Sequence, residues 1–188
     1  EPETVTRMAR RSSVLGEVVG QRGVRLSLAG AQDKLPVKLD DDGALWLPLY
    51  GAPSTHILKV PSRDFKHLPA NEVLVTQLAR KLSLTVVDIE LLRVEDVELA
   101  VARRYDREGT DAGIARLHQE DLCQALGLMP HAKYEQEGGP SFARAMEVVR
   151  AESIEPLTDT AQLLRWLPFA LLAGNADAID VDTAVAIL

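Results

Sequence analysis

Arg25-Leu-Ser-Leu-Ala-Gly-Ala-Gln-Asp-Lys34 is the stretch from which the rest of the chain is read. Leu26 and Leu28 alternate with Arg25 and Ser27, the pattern of a strand end. Ala29, Gly30 and Ala31 follow, three residues with almost no side chain, before the polar Gln32, Asp33 and Lys34. Small residues let a backbone approach a ligand closely, and Gly30 can take a positive φ at little cost. Successive backbone N–H groups in such a turn can form a concave nest for phosphate oxygens. The same residues also suit a plain turn between strands, so two readings stand at this point.

Residues further along separate them. Thr55-His-Ile-Leu-Lys-Val60 is an apolar run that carries Lys59 and is closed by Pro61. A lysine in such a strand is costly to bury and calls for an anion. Asn71-Glu72 opens a helical pattern with Leu74, Leu78 and Leu82 on one face. Small turn, strand lysine and helix glutamate, in that order, is how protein kinases assemble an ATP site.

Eight blocks then carry a family resemblance. They are Ser27 to Lys34, Pro53 to Lys59, Asn71-Glu72, Arg104-Tyr-Asp-Arg107, Arg116 to Gly127, Lys133-Tyr-Glu135, Gly138-Gly-Pro140 and Gly174-Asn-Ala-Asp177. In this order they resemble the middle portion of HipA-type serine/threonine kinases, the toxins of bacterial toxin–antitoxin pairs. The resemblance runs from about Gly23 to Ala178.

Composition sets the frame. The chain has 188 residues, 46% hydrophobic and 26% charged, ordinary values for a globular protein with a real core. A net charge of −7 gives no overall basic field for nucleic acid. The single cysteine, Cys123, excludes an internal disulfide and fits a reducing compartment. The longest apolar run, Trp166 to Ala173, is far too short to span a bilayer. A bacterial cytoplasmic location, without membrane contact, is the expectation.

Glu1 to Arg22 reads as a lead-in, because the resembled family carries a further N-terminal subdomain upstream. Residues 23–104 form the expected ATP-binding, β-rich part. Leu35 to Leu39 and Ala44 to Leu49 flank Asp40-Asp-Asp-Gly43, a hairpin signal, with Pro36 and Pro48 suggesting edge positions. Thr85 to Val94 and Val97 to Arg104 form a second expected hairpin. Tyr105 to Gly113 reads as a loop. Residues 105–188 form the expected helical part, with helices after Gln119, over Ser141 to Ala151 and over Asp159 to Ala173, where Pro168 predicts a kink. The fold class expected is α+β, a protein-kinase-like fold with an antiparallel, sheet-rich N-lobe and a helical C-lobe.

The resemblance implies roles. Ala29, Gly30, Ala31, Gln32 and Lys59 would lie on the ATP phosphates, with Glu72 holding Lys59 and Mg²⁺ accompanying the nucleotide. Tyr105 and Asp106 would hold the adenosine, although the family has glutamate where this chain has Arg103. Ser27 would be an autophosphorylation site whose phosphate repels nucleotide. Asp177 would be the catalytic residue that accepts the proton of a substrate hydroxyl. The implied partners are a protein substrate, an aminoacyl-tRNA synthetase among family targets, and a HipB-like helix-turn-helix antitoxin. No direct nucleic acid contact is expected from this acidic stretch.

The family continues Asp-Ala-His-x-Lys-Asn, whereas this chain reads Ala178-Ile179-Asp-Val-Asp182. The expectation is that further catalytic-loop residues belong between Ala178 and Ile179, and no metal ligand is identifiable. A direct bond there would leave the chain nearly inactive. The alternatives are therefore a catalytically impaired kinase-like module that acts by binding an antitoxin, and a small-molecule phosphotransferase on the same scaffold. The four histidines, His56, His67, His118 and His131, lack metal-ligand spacing.

Overall fold

A computed structural model of the chain describes residues 34–40, 43–48, 50–61, 65–94, 97–111, 113–129 and 138–174. Ser27, the Ala29–Gln32 turn, Lys133 to Glu135, Asp177 and the Ala178–Ile179 junction lie outside the described residues, as does the lead-in. By compactness the chain divides into two units, one of residues 1–78, 86–107 and 111–114, the other of residues 79–85, 108–110 and 115–188.

The first unit is built on an antiparallel sheet. Strands β1 (Lys34–Leu39), β2 (Leu45–Trp46), β3 (His56–Lys59), β4 (Ile89–Val94) and β5 (Val97–Arg103) lie in the order β2-β1-β3-β5-β4. The Asp40–Gly43 hairpin forms as the sequence predicts. Gly43 takes φ +79°, which only glycine adopts cheaply. Asp40 closes the turn twice over, accepting from the Ala44 backbone N–H at 2.7 Å and from Trp46 Nε1 at 2.5 Å. Pro36 faces Ile57 of β3, while β2 reaches only to Lys38. The missing N–H therefore costs no β2 pairing.

Register then sorts the side chains. Leu58 stands opposite Leu35 and Val101, and Lys59 opposite Lys34 and Ala100. Alternation sends Leu35, Val37, Leu58 and Leu99 to one face, where they pack with Leu45 and Val60. It sends Lys59, Ala100 and Ala102 to the other, where Val73 of helix α1 (Leu68–Lys81) packs on Ile89, Ala100 and Ala102. The alanines let the helix lie close to the sheet. Lys59 is thus on the helix side because it is one residue out of phase with the core leucine beside it.

Three expectations need correcting here. Helix α1 begins at Leu68, a turn before Asn71, with Pro69 in the first turn where no helical N–H is needed. Its Leu74 and Leu78, with Leu82 just beyond the helix, form a stripe that is about half exposed, while Pro69, Val73 and Ala79 are buried. A helix seated on alanines buries short side chains, so the face packed on the sheet is not the leucine stripe. Strand β4 begins at Ile89, not Thr85. The segment 105–113 is not simply a loop: β6 (Arg107–Thr110) pairs with β7 (Gly113–Arg116). These strands are short and polar, so they lack the alternation that marks a half-buried strand.

The second unit is helical. Helix α2 (Leu122–Ala125) is opened by a capping box, Asp121 accepting from the Gln124 N–H at 2.8 Å while Gln124 Oε1 accepts from the Asp121 N–H at 2.9 Å. Gly127 ends the turn at φ +65°. Helix α3 (Phe142–Glu152) is capped by Ser141, and α4 (Pro156–Leu172) runs through Pro168. Leu122, Cys123, Ala145 and Val148 make the core, with Leu163 of α4 against it. Arg165 of α4 donates to the carbonyl oxygens of Leu82 and Ser83, in the turn that follows Lys81. No helix among the described residues is long and apolar enough to cross a membrane.

Candidate functional site

Within the first unit the structure brings Lys59 and Glu72 together. Lys59 Nζ donates to Glu72 Oε1 in an ion pair whose side chains are 22% and 29% exposed. Strand β3 supplies the lysine at its last residue, and the second turn of α1 supplies the glutamate. Their neighbours do the anchoring: Leu58 and Val60 are buried on the opposite face, and Val73 is buried beneath the helix. A partly open pair of this kind contributes little to stability, because lost hydration and side-chain entropy offset most of the attraction. It can, however, fix a charge in space. Glu72 takes one of the three ammonium donors, and ammonium is a compact cation suited to phosphate oxygens.

A second charged group sits where β5 passes into β6. Asp106 accepts from Arg104 Nε at 2.9 Å and Nη2 at 2.7 Å, a two-pronged fork on both carboxylate oxygens. Arg107 Nη1 donates to the same carboxylate at 2.5 Å and to the Asp106 carbonyl at 2.7 Å. Arg104 Nη1 also donates to Ser54 Oγ at 3.2 Å, just ahead of β3. The side chains of Arg104, Asp106 and Arg107 are only 8–12% exposed. Burial alone would raise the Asp106 pKa; the hydrogen bonds and charge of Arg104, then Arg107, more than reverse this and hold it below the usual carboxylate range.

Tyr105 lies between these residues and stays half-exposed. Partial burial and the Asp106 charge push its hydroxyl pKa up, against a smaller opposing effect of Arg104. Arg103, where a glutamate is expected, ends β5 opposite His56 and is exposed. His56 is held below the usual imidazole value, first by burial and then by the Arg103 charge, with Glu90 opposing.

Of the residues singled out from sequence, Lys59 and Glu72 meet, and Tyr105 and Asp106 stand together at the end of β5. Ser54, Arg104 and Arg107 carry no role in the sequence reading, although Arg-x-Asp-Arg is the spacing that lets two guanidiniums fold back on one carboxylate. Among the described residues no group of histidine, cysteine, aspartate and glutamate could hold a metal. His118 pairs with the exposed Glu120 and belongs to the lead into α2.

A family model for the HipA-like C-terminal domain matches residues 26–178. Among curated proteins, the chain is 46% identical over 162 residues to a Sinorhizobium fredii protein designated "Putative kinase Y4mE", covering 86% of the chain and 38% of that protein. It is 32% identical over 168 residues to the serine/threonine-protein kinase toxin HipA of Shewanella oneidensis, covering 82% of the chain and 38% of the toxin. Among solved structures it matches the Shewanella oneidensis toxin–antitoxin complex of HipA, HipB and operator DNA, with a TM-score of 0.78 and 26% identity, over 99% of this chain and 47% of that one. The chain therefore spans less than half the length of these relatives. The α+β class and the protein-kinase-like likeness stand on the sheet, the helices and this structural match.

Proposed function

Because this chain belongs to the HipA-like C-terminal domain family, we propose that it is part of a toxin kinase that moves the γ-phosphate of ATP to a serine or threonine of a protein. The observation that carries the reading is the Lys59–Glu72 ion pair on the helix-facing side of the sheet. A lysine fixed by a glutamate is what a phosphate-holding cation requires.

The proposed roles follow. Lys59 neutralises phosphate oxygens, Glu72 keeps the ammonium in place, and the backbone of Ala29 to Gln32 covers the phosphates. Tyr105, with Asp106 beside it, serves the adenosine end. Asp177 accepts the hydroxyl proton as the substrate oxygen bonds to the γ-phosphorus and the bond to the β-phosphate oxygen breaks, releasing ADP. Mg²⁺ bound with the nucleotide would supply charge neutralisation. Phosphate on Ser27 would switch the site off by repelling nucleotide. A HipB-type antitoxin is the proposed partner, the bacterial cytoplasm the proposed location, and arrest of growth through a phosphorylated target such as an aminoacyl-tRNA synthetase the proposed result.

A second reading rests on the sequence after Ala178, which lacks the family's asparagine: an impaired kinase-like module that works by binding the antitoxin. Transfer of radiolabelled γ-phosphate to protein separates the two. Label that enters protein and disappears in Asp177→Asn supports the kinase. ATP binding with no transfer in the unaltered protein favours the impaired module, and no ATP binding at all overturns the proposal.

A further inference from the structure

We infer that Asp106 is a positioning residue, the centre of an electrostatic lock that sets the nucleotide site without touching the nucleotide; this rests on the kinase reading above. The resemblance places Asp106 on the adenosine. The structure gives its carboxylate other work. Both oxygens accept from the fork of Arg104, and Oδ2 accepts from Arg107 as well. A carboxylate so engaged, and 9% exposed, would have to give up charge-assisted hydrogen bonds to reach a ribose hydroxyl.

The partners show what the lock holds. Arg104 links the segment after β5 to Ser54, a buried serine two residues ahead of β3. The Arg104 backbone N–H donates to Thr55 O at 2.9 Å, so backbone and side chain fasten the same two segments. Arg107 fastens the other side of Asp106 through its carboxylate and its carbonyl. Tyr105 is the residue between these fastenings, and its side chain is left about half open. Lys59 ends the same strand that Ser54 precedes, five residues on and roughly 16 Å along an extended chain. The lock thus fixes one end of β3 and the pose of Tyr105, while the Lys59–Glu72 pair fixes the other end. The two ends of a bound nucleotide would be held in register by one strand.

The test is ATP affinity, measured by titration calorimetry on the unaltered protein and on Arg104→Lys, Asp106→Asn and the double variant. Lysine keeps the charge of Arg104 and loses the planar fork. The lock predicts that each single variant weakens ATP binding about tenfold, the scale of one charge-assisted hydrogen bond. The double variant should be no weaker than the singles, because a lock is broken once. Where turnover is measurable, the KM for ATP rises and kcat at saturation holds. An Asp106→Asn protein that binds weakly beside an Arg104→Lys protein that binds normally makes Asp106 a direct ligand and overturns the lock alone. A folded, unaltered protein with no affinity for ATP overturns the kinase reading and this inference with it. Should Arg104→Lys fail to unfold cooperatively, Ser54→Ala replaces it, with an expected weakening of about threefold.

Discussion

The two charged groups of the sheet unit use the same chemistry in opposite ways. Lys59 and Glu72 are one cation and one carboxylate, each more than a fifth exposed, joined by a single contact between a strand and a helix. Arg104, Asp106 and Arg107 are two guanidiniums on one carboxylate, almost out of solvent and tied to Ser54 besides. A lone ammonium–carboxylate pair keeps its charge available to a ligand and adds little stability. A forked, shielded cluster keeps its carboxylate engaged by its own guanidiniums, and removing one member strands the rest. The first arrangement suits exchange with a substrate; the second suits holding a backbone still.

The largest effect that would break this contrast is on activity. Lys59→Ala should lower phosphate transfer by roughly a thousandfold, since it removes charge stabilisation where phosphoryl transfer relies on it. Urea unfolding of the same variant should shift by no more than about 1 kcal/mol. A large loss of stability would show that the pair is structural after all and would erase its difference from the arginine cluster.

Asp106→Asn should show the reverse balance. An amide cannot accept from both guanidiniums as a carboxylate does, and a buried pair deprived of one partner costs about 3 kcal/mol in urea unfolding. The effect has a pH signature. Because the folded pKa of Asp106 lies below its unfolded value, its contribution is fully present above the unfolded value of about 4 and is lost as pH falls through the folded pKa. Unaltered protein should therefore lose stability more steeply below about pH 4 than Asp106→Asn does. Glu98, held low by His67 and then Arg93, is common to both proteins, so the difference between their curves isolates Asp106.

How much of this was legible in the sequence follows from the range of each interaction. The Asp40–Gly43 turn is local, and its glycine announces it. Lys59 could be read because a charge inside an aliphatic run is a local anomaly, and Glu72 because the resemblance links it to that lysine. The face Lys59 occupies needed only the two-residue period. The arginine lock was not legible: it depends on Ser54 lying beside Arg104, a pairing made by the sheet across fifty residues of chain. Hairpin β6–β7 was hidden by polarity. The leucine stripe of α1 was seen but not its direction, since period alone does not say which face is packed. The small-residue turn and Asp177, prominent in sequence, lie outside the described residues.

The smallest effect concerns how Glu72 itself is held, and it sharpens the contrast by asking whether the exchangeable pair stands on a firm base. Helix α1 meets the sheet through Val73, which is 5% exposed, against Ile89, Ala100 and Ala102. Val73→Ala removes buried methyl groups and leaves a gap that alanines on the sheet cannot fill, so a cost of about 2 kcal/mol is expected. Leu78→Gln, at 47% exposure on the stripe, should cost clearly less, about 0.5 kcal/mol, because about half of the residue already meets solvent and glutamine is a good helix former. Parallel urea titrations of the two variants compare the faces directly. Equal losses would mean that the leucine stripe is a packed face, and that Glu72 is presented to Lys59 by a helix seated differently from the one described. A clear loss for Val73→Ala alone leaves Glu72 on a helix gripped from below, with the ion pair free to exchange without loosening the sheet.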